Sequence, residues 1–176
     1  DFQPTSIKLA YDGLALIVNK NNNDTCISVK DVKRILSGEV TEWNQIYPGS
    51  KWGKIKIVFD NPKSSTVKFC EDSILGGHGI SSVNASAVKT SQGVIDFVEK
   101  TPNAIGVIGS NWLNDKRDTT NCTFKKNIHV MSVSKMDKAT EMNSWKPYQA
   151  YIFNGRYPFI RTIYALINDP INGLPW

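Results

Sequence analysis

The chain alternates between short apolar runs and segments in which apolar residues recur at helical spacing. Runs rich in β-branched and other apolar residues predict strands at residues 7–18, 55–59, 104–108, 127–134 and 159–167. The first run is expected to be one long strand, although it contains Asp12-Gly13, a pair that favours turns and allows a break there. The longest apolar runs are far shorter than the roughly 20 residues that a membrane-spanning helix needs.

Three segments have apolar residues at spacings of three and four and predict helices at residues 29–37, 65–75 and 92–100. Ser28 and Ser91 are the predicted N-caps of the first and third helices, and Asp31 follows Ser28 at the spacing of a capping box. Gly38 is predicted to end the first helix, and a Gly-Gly pair to end the second.

Strands and helices that alternate in this way indicate an α/β fold, with a mixed or largely parallel sheet flanked by helices. A chain of 176 residues with 40% hydrophobic content can bury a sizeable core, so we expect residues 1–176 to form a single α/β domain. The net charge is +5, but the basic residues are scattered along the chain. This distribution argues against a nucleic-acid-binding groove.

The three cysteines, Cys26, Cys70 and Cys122, are widely spaced and form no CxxC pair. A structural zinc site is therefore not expected, and neither another metal site nor a cofactor is predicted. At most one disulfide can form. We expect Cys70 to be a small buried residue on a helix face, and the other two cysteines to be free or partly exposed.

Three consecutive hydroxyl residues, Ser64, Ser65 and Thr66, follow the predicted strand 55–59 and open the predicted helix 65–75. We call them the hydroxyl cluster. The first amides of a helix have no intrahelical partner, so a strand-to-helix turn can hold an anion, and hydroxyl groups add donors that rotate to suit the ligand. The alternative is that one of these hydroxyls is only a helix N-cap.

A catalytic role for the hydroxyl cluster has little support. A nucleophilic serine needs a nearby base, and the two histidines, His78 and His129, lie in no recognisable catalytic motif. The chain contains no GxxxxGK[ST] loop for nucleoside triphosphates. We therefore predict a binding protein and not an enzyme.

Four segments carry a family resemblance: YDGLALIVNKNN, ISVKDVKRILSGEVTEWNQI, IKIVFDNPKSSTVKF and GVIDFVEKTPNAIGVIGSNWL. In order and spacing they resemble the phosphate-binding proteins of bacterial ABC transporters, over roughly residues 8–113. The resemblance implies one lobe of the type II periplasmic binding fold. It also implies a turn that grips phosphate, because a Ser-Gly-Thr turn of the family matches Ser64, Ser65 and Thr66.

The chain departs from the family pattern within this turn. Asp60 stands where the family usually has an arginine that binds the anion, and Ser65 replaces the usual glycine. Lys63 either restores positive charge or is a solvated surface lysine. The predicted ligand-binding set is Ser64, Ser65, Thr66, Asp60 and Lys63. Because Asp60 would repel a dianion unless its carboxylate accepts a proton from the ligand, we expect a preference for a protonated oxyanion.

The resemblance further implies that the chain is mostly the second lobe of a two-lobe protein, with the N-terminal lobe segment absent. Phosphate or a similar tetrahedral oxyanion is the expected ligand, and the membrane subunits of an ABC transporter are the expected partners. A monomer exported to the periplasm or cell envelope, with or without a lipid anchor, is implied. The alternative is a secreted interaction or adhesion domain that binds no small molecule, in which the hydroxyl cluster is only a cap.

Overall fold

The computed structural model describes residues 5–114 and 124–167, with side chains for residues 11–114 and 124–162. Its strands are β1 (Thr5–Asn19), β2 (Cys26–Ser28), β3 (Lys56–Phe59), β4 (Ala85–Ala87), β5 (Ala104–Gly109), β6 (Ile128–Val130), β7 (Ser132–Ser134), β8 (Ser144–Trp145) and β9 (Ile160–Ile167). Its α-helices are α1 (Val29–Leu36), α2 (Ser65–Phe69), α3 (Ser91–Lys100) and α4 (Gln149–Phe153). A π-helical segment, Cys70–Ile74, continues α2.

The larger sheet is mixed and has the strand order β4-β3-β5-β1-β6, with β9 also paired to β1. Strand β3 is parallel to β4 and β5, whereas β1 is antiparallel to β5, β6 and β9. A smaller sheet has the order β2-β7-β8. The predicted α/β class, with a mixed sheet flanked by helices, is confirmed.

Strand β1 is continuous through Asp12-Gly13, so the predicted long strand is confirmed and the break that this pair allowed does not occur. The strand instead changes partner there: Gly13 pairs with Ile160 of β9, and Leu14 pairs with Gly109 of β5. The backbone stays extended because the pairing of β1 with β5 begins at the residue after its pairing with β9 ends. This exchange places residues from β1, β5 and β9 at one point.

The second half of β1 is buried on both faces, which explains its unbroken apolar sequence. Leu14, Leu16 and Val18 pack in the core that contains α1 and the helical segment 65–74. Ala15 and Ile17 face the opposite core, which is built on α3. Because side chains alternate along a strand, one apolar run serves both cores.

The predicted strands and helices with clear periodicity agree with the structure to within one or two residues, apart from the helix at 65–75, which is α-helical only to Phe69. Ser28 caps α1, since its Oγ accepts a 3.0 Å hydrogen bond from the Asp31 amide. The Asp31 carboxylate, which the capping-box spacing directs towards the Ser28 amide, instead accepts a hydrogen bond from the Arg34 side chain at 2.9 Å. Gly38 follows α1 with a φ of +83°, as a C-terminal glycine should.

The single strand predicted at residues 127–134 is wrong, because the segment divides at Met131. Strand β6 pairs with β1, and β7 pairs with β2 in the smaller sheet. The Met131 amide donates to the Leu16 carbonyl at 2.9 Å, and its side chain is fully buried. The apolar pattern is continuous across the division because both strands pack into the interior.

The predicted N-cap of α3 is also wrong by one residue. Thr90 is the N-cap, and its Oγ1 accepts a 3.0 Å hydrogen bond from the Gly93 amide. Ser91 is the first helical residue and is largely buried. Both residue types cap helices well, so the sequence alone does not distinguish them.

Cys70 is fully buried on the helical segment that follows α2, as predicted, and Cys26 is half-buried; both are free thiols. Cys122 lies outside the described residues. No helix in the described part of the chain has the length and apolar character needed to cross a bilayer.

Candidate functional site

The hydroxyl cluster lies where β3 ends and α2 begins. Asn61 shapes the turn between them: its side-chain Oδ1 accepts a 2.8 Å hydrogen bond from the Lys63 amide, and its carbonyl accepts from the Ser64 amide at 3.2 Å. This is the local hydrogen bonding that makes asparagine favourable in turns. The turn places Ser64 at the N-cap of α2.

The three hydroxyl residues have different environments. Ser64 is half-buried, and its Oγ accepts a 3.2 Å hydrogen bond from the Val67 amide. Ser65 is exposed, whereas Thr66 is buried with 2% exposure. The N-cap interpretation is therefore correct for Ser64, and it leaves Ser65 without a capping role.

Two amides of the cluster are open. Within residues 5–114 and 124–167, the amides of Ser65 and Thr66 donate to no protein group. These are the first two amides of α2, which have no intrahelical acceptor. Together with the hydroxyl groups they form a compact set of hydrogen-bond donors.

The other two predicted site residues lie in the turn before the cluster. Asp60 is half-buried, and its Oδ1 accepts a 3.1 Å hydrogen bond from the Asn61 amide. The Lys63 side chain is exposed. Among the described residues, neither side chain is hydrogen-bonded to the hydroxyl cluster.

The structure brings Arg161, which the sequence analysis did not select, to the hydroxyl cluster. Its Nη1 donates a 2.9 Å hydrogen bond to Ser65 Oγ. Its Nη2 lies 2.6 Å from Asp12 Oδ2, and the two side chains are 20% and 12% exposed. We call Asp12 and Arg161 the β1–β9 ion pair, because the two residues face each other across these strands.

The other carboxylate oxygen of the β1–β9 ion pair is held by the end of β5. Asp12 Oδ1 accepts hydrogen bonds from the Ser110 hydroxyl at 2.9 Å and from the Gly13 amide at 2.8 Å. The Ser110 residue directly follows β5. The ion pair therefore joins three strands to the turn that follows β3.

Gly109 gives the guanidinium room. A Cβ atom at this position would lie 3.2 Å from Arg161 Nη2 and 2.7 Å from Asn111 Oδ1. The close approach explains why the last residue of β5 has no side chain.

A sequence signal for Asp12 and Arg161 existed. Each is a charged residue inside a largely apolar strand run, and buried charges require a partner of opposite sign. Pairing the two would have been a reasonable inference.

The described residues offer no metal site, since no three His, Cys, Asp or Glu side chains among them are arranged to hold an ion. The Nδ1 atoms of His78 and His129 lie 2.9 Å from the backbone carbonyls of Leu75 and Asn22. Neither histidine is within hydrogen-bond reach of the hydroxyl cluster in the contacts described.

Comparisons with known proteins agree with the sequence resemblance. A family model described as a PBP superfamily domain matches residues 2–174. The phosphate-binding protein PstS of Staphylococcus haemolyticus (strain JCSC1435) is 27% identical over 172 residues, which are 96% of this chain and 49% of that protein. PstS of Staphylococcus aureus (strain USA300) is 27% identical over 165 residues, or 92% of this chain and 45% of that protein.

Solved structures share the fold. An ABC-type phosphate transport receptor from Vibrio cholerae superposes with a TM-score of 0.73 at 20% identity, covering 98% of this chain and 63% of that one. PstS from Borrelia burgdorferi gives a TM-score of 0.69 at 23% identity, covering 94% of this chain and 60% of that one. The chain thus spans about half the length of the curated relatives it matches.

Proposed function

We propose that this chain, which belongs to the PBP superfamily domain family, is part of a solute-binding protein that captures phosphate or a similar tetrahedral oxyanion for an ABC transporter. The names of the relatives support the choice of phosphate. The single observation in this chain that carries the proposal is the hydroxyl cluster, with its two open amides.

The hydroxyl cluster suits an acceptor ligand because two of its three hydroxyls, those of Ser64 and Ser65, already serve as acceptors. Ser64 Oγ accepts from the Val67 amide, and Ser65 Oγ accepts from Arg161, which can only donate. The single hydrogen of each hydroxyl is then available to donate outward. An anion with several oxygens can accept from these hydroxyls and from the open amides of Ser65 and Thr66 together.

We propose that Asp60 and Lys63 border the ligand. A carboxylate can accept the proton of hydrogen phosphate, whereas it repels a fully deprotonated anion such as sulfate. Lys63 would contribute positive charge from the exposed side of the turn.

In this proposal the protein captures its ligand and performs no chemistry on it. The described chain is mostly the second lobe of a two-lobe protein, and the anion bridges both lobes. A bound ligand stabilises the closed state only by the difference between its affinities for the closed and open states. The protein is a monomer exported to the cell envelope, with or without a lipid anchor, where it delivers the anion to the transporter's membrane subunits.

Calorimetric titration of the full-length protein with phosphate and with sulfate near neutral pH tests this proposal. We expect micromolar or tighter phosphate binding, which corresponds to about −8 kcal/mol or better. Replacement of Ser64, Ser65 and Thr66 together with alanine should abolish it. Absence of binding to either anion would reject the phosphate assignment.

Ser28→Ala is the matched control for the triple variant, because it also removes a serine N-cap but on α1. It should lower stability by about 1 kcal/mol and leave phosphate affinity unchanged. If the triple variant loses stability yet binds phosphate normally, the hydroxyl cluster is only a helix cap. That is the role expected of it in the alternative, an interaction domain that binds no small molecule.

A further inference from the structure

The positive charge beside the hydroxyl cluster comes from a residue outside the turn. Within the turn, Asp60 stands where a cation is expected, and Lys63 is exposed and not hydrogen-bonded to the hydroxyl cluster in the described contacts. Among the described residues, Arg161 is the one whose cationic group contacts the cluster, through its 2.9 Å hydrogen bond to Ser65. We propose that Arg161 is an anion-binding residue of this site, an inference that rests on the proposed function.

The position of Arg161 is fixed by strand pairing. Asp12 and Arg161 are opposite residues in the antiparallel ladder of β1 and β9, so the backbone brings them together without a flexible loop. Asp12 is 12% exposed and is itself held by Ser110 and Gly13. Asp12 is thus a positioning residue, which orients the guanidinium and does not meet the ligand.

The ion pair leaves the guanidinium with spare donors. Only Oδ2 of Asp12 accepts a hydrogen bond from Arg161, because Oδ1 accepts from the Ser110 hydroxyl and the Gly13 amide. Of the five N–H groups of an arginine, one donates to Asp12 and one to Ser65 in the described contacts. The Nε–H group is buried and has no partner among the described residues.

These contacts suit anion binding better than a purely structural ion pair. A structural arginine–carboxylate pair gains most from a two-point contact, whereas this carboxylate makes a one-point contact and leaves an Nη group directed to the exposed Ser65. With 20% of its side chain exposed, Arg161 is accessible to a small ion at the cluster. A phosphate on the Ser65 hydroxyl would lie beside a fixed positive charge.

The test compares two double variants by phosphate calorimetry of the full-length protein. Asp12→Asn/Arg161→Met removes the β1–β9 ion pair without changing net charge or leaving a buried carboxylate unpaired. We expect a 10- to 100-fold weaker phosphate affinity, the loss typical of a hydrogen bond to a charged group. The affinity should also depend less on salt concentration, a readout that a merely structural role would not change.

Asp31→Asn/Arg34→Met is the matched control, because it removes an ion pair of similar length on α1, at 2.9 Å, together with the 3.0 Å contact of Arg34 with the exposed Glu39. It should bind phosphate with the affinity and salt dependence of the unchanged protein. If the first double variant does not fold, Arg161→Lys replaces it, since lysine keeps the charge and loses the planar fork; about tenfold weaker binding is expected.

The outcomes separate this inference from the proposed function. Unchanged affinity in Asp12→Asn/Arg161→Met, or in Arg161→Lys where that variant is used, overturns the role of Arg161 and leaves phosphate capture intact. An unchanged protein that binds neither phosphate nor sulfate overturns both. Weaker binding in the first double variant alone supports Arg161 as a ligand-binding residue.

Discussion

The hydroxyl of Ser110 donates a 2.9 Å hydrogen bond to the Asp12 carboxylate and so ties the end of β5 to the middle of β1. Ser110→Ala removes this donor and leaves a mostly buried charged group with one partner fewer. We expect the free energy of unfolding to fall by about 1.5–3 kcal/mol in urea titrations. Ser73→Ala, at an exposed position, should change it by less than about 0.5 kcal/mol. Equal stabilities of the two variants would contradict a stabilising role for the hydrogen bond from Ser110 to Asp12.

Asp60 should determine the choice between phosphate and sulfate. In Asp60→Asn the side chain is neutral and no longer repels sulfate, so the ratio of phosphate to sulfate affinity should fall by about tenfold or more. Calorimetry with each anion measures the ratio. Asp72→Asn changes net charge equally at an exposed position on the helical segment after α2 and should keep the original ratio. A ratio unchanged in Asp60→Asn would argue against proton acceptance by Asp60.

Burial, with a smaller effect of the neighbouring Glu71, raises the pKa of the Cys70 thiol from 9.0 to about 12. Above pH 9 the thiol ionises in the unfolded chain but stays neutral in the folded protein. Stability is therefore lost as pH rises from 9 towards 12, by about 1.4 kcal/mol per unit from this group. Urea unfolding between pH 8 and 10.5 should show this loss.

Cys70→Ala tests the assignment of that loss, because the variant lacks the ionising group. Its stability should decline with pH less steeply than that of the unchanged protein, by about 1.4 kcal/mol per unit above pH 9. Cys26→Ala retains Cys70 and should keep the original pH profile. Parallel pH profiles for Cys70→Ala and the unchanged protein would mean that folding does not raise the pKa of the Cys70 thiol.

Gly106 lies in β5 where β1 and α3 approach closely. An added Cβ would be 2.7 Å from both Ile17 Cγ1 and Val94 Cγ1. Gly106→Ala should therefore destabilise the fold by about 1–3 kcal/mol, as overpacking does. Gly79→Ala is the control, because its nearest atom, Glu71 Oε1, would be 3.9 Å away. Thermal unfolding that ranks Gly79→Ala as the less stable variant would refute the packing described.

The position of the α3 cap gives a further prediction. Thr90→Ala removes the oxygen that accepts from the Gly93 amide and should cost about 1 kcal/mol. Ser91→Ala, one residue later, should cost less because Ser91 does not cap the helix. Urea unfolding of both variants decides between the two positions, and a larger loss for Ser91→Ala would favour the cap predicted from sequence.

Local features of this protein could be predicted from its sequence because their causes are local. The helix beginning at Val29 and the hydroxyl cluster depend on residues within three or four positions, such as Ser28 with the Asp31 amide. The central strands could also be predicted from local sequence. A strand that is buried on both faces needs an unbroken apolar run, and such a run is visible in the sequence. Three of the strands of two or three residues, β2, β4 and β8, and the short helix α4 were not predicted, because so few residues produce no periodicity.

The tertiary structure alone decided how the ends of the strands meet. Arg161 is 96 residues from Ser65 and 149 from Asp12, and only the register of β9 on β1 brings these side chains together. The division of residues 127–134 at Met131 likewise depends on which strand each half pairs with. Sequence therefore determined where the hydroxyl cluster stands along the chain, whereas strand pairing, which is set by contacts distant in sequence, determined that Arg161 lies beside it.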